Sequence, residues 1–394
     1  SLHDALPICK SLTIISGILI SVVVAFFSGA VVQYIMRLIF SFHYERVYPW
    51  FGGVFGGMSI TAIAYFLVMK GAKGASFMRP EWIEWIDANT KMLVIALFIG
   101  FSVLFQVLIM VSKFNIFKVV ILAGTFSLAF AFAGNDLVNF VGVPLAAYDS
   151  FREWQASGLS PDALMMDGLL KPTKANTFFL LASGLVMVLT LWFSRKAHRV
   201  LQTALSLSAQ QSDHEQFGSS IPGRVIVRAS MGLGSIINQI IPGVVKEGID
   251  SRFKRRRLKR GEEPLPFDYV RASVNLVLSA ALISSATSLQ LPLSTTYVTF
   301  MVAMGSSFAD GAWDRETAVY RISGVLTVIS GWFVTAFSAS TLAALVCILI
   351  FFGGGVAAFG LAILASFLLV RSNLRFKQQE MDYKAEQAVR YDVD

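Results

Sequence analysis

Residues 131–151 read AFAGNDLVNFVGVPLAAYDSF, an apolar run in which Gly134, Asn135, Asp136 and Asn139 stand together. The apolar stretch around them, 117–148, is longer than the ~20 residues that one straight crossing of a bilayer needs. A carboxylate inside such a run is costly at membrane depth and is a functional candidate by default. Gly134 permits an irregular backbone, Asn135 or Asp136 can cap a helix that restarts after it, and Asn139 lies one turn further on the same face. A carboxylate, an amide oxygen and freed backbone carbonyls would make a hard-oxygen site suited to a small cation such as sodium, with Asp136 as its anionic member. The other reading is an Asp136 that only caps a helix at a loop near the interface, and the local sequence leaves both open.

A second long apolar stretch, 269–309, is interrupted in the same way. Its middle, SSATSLQLPLSTTYVTFMVAMGSS (284–307), places Gln290, Pro292, Ser294, Thr295 and Thr296 between two apolar halves. Pro292 stops the first half, having no N–H and clashing with the preceding turn. Ser294 is the natural N-cap of the second half, with Thr295 and Thr296 in its first turn. A helix N-terminus offers unpaired N–H groups and the positive end of the dipole, so it suits phosphate or another anion, and three hydroxyls add donors without a trapping full charge. An ordinary Pro-terminated, Ser-capped turn accounts for the same residues. Two broken helices in one membrane protein favour a transporter site.

Composition around these stretches fixes the class. Of 394 residues 55% are hydrophobic and only 15% charged, against about a quarter charged in soluble domains, and mean hydropathy is +0.64. The chain reads as an integral membrane protein, all-α and multi-pass. Ordinary crossings are expected at 11–40, 51–70, 92–111, 177–194, 316–338 and 341–370. Cys9 and Cys347 belong to no CxxC or Cys/His cluster, and His3, His43, His198 and His214 form no i, i+4 pair, so disulfide, zinc and helix-borne metal chemistry are not suggested. There is no Walker loop, no HExxH and no paired catalytic carboxylates, which argues against an enzyme. Gly353, Gly354 and Gly355 are read as a close-packing surface within a continuous helix. Trp50, Trp82, Trp85 and Trp313 are read as interfacial anchors, and Glu81, Glu84 and Asp87 as a solvated polar connection.

The net charge of +8 is concentrated in one connection. Between Arg195 and Pro266 lie thirteen Lys/Arg and six Asp/Glu, a balance of +7. Such a loop reads as cytoplasmic rather than as a nucleic-acid surface, and its RFKRRRLKR run can meet anionic lipid headgroups. Within it, 221–250 has apolar residues at Ile226, Leu233, Ile237, Ile240 and Val244, which predicts a helix lying in the membrane surface. The tail from Arg371 is a solvated helix on the same side. The stretch 149–176, with Pro161 and Pro172, is an outside connection. SLHDALPI at the start falls outside the hydrophobic rhythm and is read as a processing or cloning remnant.

Ile15-Ser16-Gly17-Ile18-Leu19 recurs as Ile322-Ser323-Gly324-Val325-Leu326, with Phe26 and Phe333 in register, which suggests a repeated architecture.

Gly134-Asn135-Asp136-Leu137-Val138-Asn139, followed by Gly142, Pro144 and Leu145, resembles the G-A-N-D-V-A-N-x-x-G-P-L signature of the inorganic phosphate transporters of the PiT type. Leu291-Pro292-Leu293-Ser294-Thr295-Thr296 resembles that family's L-P-V-S-T-T-H signature. Ala133-Gly134 reverses the Gly-Ala order, Val143 is an extra residue before Pro144, and Tyr297 stands where the family usually has His. The resemblance covers about 92–370 and implies inverted repeats with two broken or re-entrant helices. Family members carry each signature twice, and this chain carries each once. The chain is therefore expected to be the C-terminal part of a longer transporter: a counterpart of Ser294 before Ser16 would fall at position −13, upstream of Ser1. On that plan 1–9 is the remnant, 10–91 the end of the first repeat and 92–194 the first part of the second. Residues 195–266 are then the basic loop, 267–370 the second part with its STT break, and 371–394 the tail.

By position, the resemblance implies that Asp136, Asn135 and Asn139 serve the coupling cation, sodium or a proton. Ser294, Thr295 and Thr296, with Asn135 and Asn139, would hold phosphate. The expected function is cation-coupled phosphate symport across the cell membrane, with inorganic phosphate and membrane lipid as partners and no nucleic acid; a homo-oligomer is compatible with the sequence. Sulfate or another oxyanion is the nearest alternative substrate. A non-transporting scaffold or receptor acting through the basic loop is the alternative of a different class.

Overall fold

The computed structural model describes residues 2–70, 78–112, 114–160, 163–164, 176–194, 251–253, 268–289, 291, 293–310 and 315–391. The elements are α1 (Leu2–Phe40), a 3-10 turn (Tyr44–Arg46), α2 (Tyr48–Ala64) running into a π turn (Tyr65–Lys70), and α3 (Pro80–Ser112). They continue with α4 (Ile116–Ser157), α5 (Thr177–Phe193), α6 (Tyr269–Ser288), α7 (Thr295–Ala309) and α8 (Arg315–Tyr391). No strand occurs among the described residues. Among the described residues, six helical stretches are long and apolar enough to cross a membrane: Leu12–Phe40, Tyr48–Met69, Pro80–Ser112, Ile116–Ser157, Tyr269–Ser288 and Ser330–Arg375. The chain is a multi-pass membrane protein. Two compact units divide it, 1–322 and 323–394.

In the first unit, one end is built around Phe117. With Ile116 and Val120 it packs on Met36 and Phe40 of α1, Phe55 of α2, Phe105 and Ile109 of α3, and Val270 and Val274 of α6. The Tyr48 hydroxyl accepts from the Ile116 N–H and donates to the Phe114 carbonyl, both at 2.6 Å, tying the starts of α2 and α4. Asn115 caps α4 by accepting from the Phe117 N–H, and Asp268 caps α6 by accepting from the Arg271 N–H. Small residues let backbones meet elsewhere. A Cβ at Gly29 of α1 would lie 2.5 Å from the Val302 carbonyl of α7, and one at Gly305 would overlap the Phe26 carbonyl. Gly53 and Gly57 turn a small-xxx-small face of α2 onto Gln106 and Ser102 of α3.

Several expectations are corrected. The stretch 117–148 does not break: α4 is one helix of 42 residues through Gly134 and past Pro144. Asn135 and Asp136 find side-chain partners on other helices, so the backbone ladder has no need to open around them. The stretch 269–309 does break, between Ser288 and Thr295; the expected stop Pro292, and Gln290 near it, lie outside the described residues. Helix α3 starts at Pro80, so Glu81, Glu84 and Asp87 are exposed helical residues and not a connection. Helix α4 likewise absorbs the beginning of the 149–176 connection. Most of the basic loop, including 221–250, and Trp313 lie outside the described residues.

The second unit is the helical chain from Ser323 on. No boundary separates 316–338 from 341–370. Thr341 donates to the Phe337 carbonyl at 2.9 Å, so the Ser/Thr cluster there is absorbed within the helix. The interruption sits at Gly354 (φ 56°, ψ −145°), a conformation mirror-imaged from the extended region and open only to glycine. The glycine triplet is therefore a helix break. The stretch Ser330–Arg375 is exposed along its length, as a lipid-facing span can be.

Candidate functional site

The start of α7 lies against the middle of α4. The Thr295 hydroxyl lies 3.1 Å from each oxygen of Asp136, 159 residues away in sequence, and is itself 3% exposed. On the same face of α4, the Asn135 amide donates to the Thr287 hydroxyl at the end of α6, and the Asn139 amide to the Asn135 oxygen, both at a long 3.5 Å. Asp136 is twenty residues into α4, which removes the reading of it as a helix cap. Along the helix it stands 18 residues beyond Lys118 and 13 before Asp149, about 27 and 20 Å at 1.5 Å per residue. The carboxylate is thus deep within an otherwise uncharged stretch.

Of the six residues expected at the site, the structure joins Asp136, Asn135, Asn139 and Thr295. Ser294 holds the N-cap position as expected, with extended backbone, yet its side chain makes no capping hydrogen bond. The first-turn N–H groups of α7 therefore have no side-chain acceptor from their own cap. Thr296 is exposed beside Thr295. The cluster carries one carboxylate with spare lone pairs, two amides and several hydroxyls. It can accept a small cation on Asp136 and present neutral donors to an anion. Among the described residues there is no group of three or more His, Cys, Asp or Glu that could hold a metal ion. A cavity of about 310 Å³ lined by Met58, Thr61, Ala62, Tyr65, Val94 and Phe98 contains none of these groups.

A second polar assembly was missed. At the other end of the α6–α7 pair, Arg37 of α1 bonds Asp310 through Nε (2.9 Å) and Nη2 (2.6 Å) and Asp268 through Nη2 (3.1 Å). Arg271 Nε bonds Asp310 at 2.8 Å, and Gln33 Nε2 bonds it at 2.9 Å. All five side chains are buried, and the four charges balance. The signal was available: Arg37 interrupts an apolar run just as Asp136 does. Because Asp268 and Arg271 begin α6 and Asp310 follows α7, the network shows that the two helices return to one end, with Thr287 and Thr295 at the other.

No family model matches the chain, and neither a curated protein nor a solved structure matches it.

Proposed function

We propose that this chain belongs to a cation-coupled transporter of inorganic phosphate, resembling the PiT type and residing in the cell membrane. The observation that carries the reading is the Thr295–Asp136 contact. Two polar islands, each singled out separately as a transport motif, meet at membrane depth. In this reading α6 and α7 form a re-entrant hairpin whose tip presents the N-terminus of α7. Phosphate is held by the first-turn N–H groups of α7 with the hydroxyls of Ser294, Thr295 and Thr296, and by the Asn135 and Asn139 amides. Sodium, or a proton, neutralises Asp136 and lowers the repulsion that a bare carboxylate would exert on the anion. Movement of one inverted repeat against the other then exposes the site to either side in turn. The reading contains no chemical step.

Uptake of labelled phosphate into proteoliposomes tests it, with and without sodium or proton gradients. The parent chain is compared with its Asp136→Asn variant. Gradient-dependent uptake abolished by Asp136→Asn supports the reading. Absence of uptake by the parent chain under both gradients refutes it. Unlabelled sulfate as competitor decides the substrate, since neutral hydroxyl and amide donors bind either oxyanion.

A further inference from the structure

Helices α4 and α6 run side by side in the same direction with a constant register. Asn135 and Thr287 are 152 positions apart, and Gly124 rests on Leu276 at the same separation. That offset sets Ser127 level with Ser279 in the seam. Ser127 is 1% exposed and Ser279 0%, and one turn toward the charged end Asn275 is 7% exposed. The hydroxyls of both serines, and both the Oδ1 and Nδ2 atoms of Asn275, are buried without a hydrogen-bond partner. Buried polar atoms are nearly always paired, and a group with orphaned donors and acceptors together is what bound water satisfies. Between this level and Asp136, the same register puts Ala131 beside Ile283, an apolar layer with exposures of 6% and 0%.

We propose that Asn275, Ser279 and Ser127 line a hydrated vestibule in the α4–α6 seam that admits small monovalent cations on their way to Asp136 and is shut from it by the Ala131–Ile283 layer. Apolar constrictions of this kind close a water-filled path by dewetting. The lining is neutral and oxygen-rich, the Arg and Asp charges at its outer end cancel, and the carboxylate lies beyond the layer, so the path draws cations rather than anions. Its cation preference rests on the reading of Asp136 as the coupling-ion site; its hydration does not.

The test is thiol labelling in proteoliposomes, in chains whose Cys9 and Cys347 are replaced by Ser. Ser127→Cys, Ser279→Cys and Asn275→Cys are each exposed to the cationic reagent aminoethyl methanethiosulfonate and to its anionic sulfonatoethyl counterpart. Val302→Cys, on α7 against Gly29 and equally buried, is the apolar control. The expected result is loss of free thiol at the seam positions with the cationic reagent only, and none at Val302. No labelling at folded seam variants overturns the vestibule even if phosphate uptake succeeds. Equal labelling by the anionic reagent overturns its cation preference. Ser127 and Ser279 lie on different helices and report the same gap, so a variant that fails to fold leaves the other to decide.

Discussion

Replacing Arg37 by Met removes one of the two buried arginines that the described residues bring to Asp268 and Asp310. The structure sets the size of the effect. Arg37 is fully buried and makes three hydrogen bonds to the two carboxylates. Asp310 keeps Arg271 and Gln33, and Asp268 keeps the Arg271 N–H but loses its contact with the guanidinium of Arg37. Removing one member of such a group and leaving an uncompensated charge costs about 3–5 kcal/mol. Asp268→Asn in the same chain removes the surplus negative charge and retains a side-chain oxygen to cap α6. Arg271 and Asp310 then remain as a balanced pair. The double variant is expected to be more stable than Arg37→Met by at least ~1 kcal/mol, even though Asp268→Asn alone destabilises. Unfolding of the four purified chains in mixed micelles, followed by near-UV circular dichroism, gives the cycle. Additive losses, or an Arg37→Met chain as stable as the parent, would refute the argument that charge balance at this junction holds α1 to the α6–α7 pair.

Thr295→Val should lower phosphate uptake by about 10- to 100-fold, the equivalent of a charge-assisted hydrogen bond of ~1.5–3 kcal/mol, whereas Thr295→Ser keeps most of it; equal uptake by Val and Ser variants would remove the hydroxyl from the site. Gly305→Ala forces a methyl onto the Phe26 carbonyl and should destabilise by about 1–3 kcal/mol in the same unfolding assay, with Gly100→Ala, which meets nothing within 4 Å, as the neutral control. Gly354→Ala puts an L residue where only glycine is comfortable, so α8 should straighten; spin labels at Ser340 and Ser366 would then move apart, and an unchanged separation would show that the break is not set by Gly354.

Hydropathy located the crossings expected at 11–40, 51–70 and 92–111 because bilayer thickness constrains helix length, whereas 177–194 forms a shorter apolar helix of 17 residues and 316–338 and 341–370 fall in one helical run; Ser294 was placed at a helix start because proline and hydroxyl chemistry act locally. What failed was the inference from polarity to backbone. Gly134, Asn135 and Asp136 look the same in sequence whether the helix opens or another helix supplies partners, and here Thr287 and Thr295 supply them. Gly353, Gly354 and Gly355 read as a packing surface because glycine identity alone does not reveal the positive φ that interrupts the helix at Gly354. The Asp136–Thr295 contact could not be read from either motif alone, since it depends on how α4 and α7 pack. The Arg37 network went unread because a charge near the end of an apolar run passes as an ordinary flank until Asp268, Arg271 and Asp310 are brought to it.

Helix α7 is fifteen residues long, a rod of about 22 Å, and it is pinned at both extremities. Its first residue touches the Asp136 carboxylate, and the residue after its last is clasped by two arginines. It has no proline, and Gly305 lies in regular helix, so a tug at one extremity would carry along the rod to the other. Loosening the grip on Asp136 and unclasping α1 would then be two views of a single displacement, which paired distance probes at the two extremities would record moving in step.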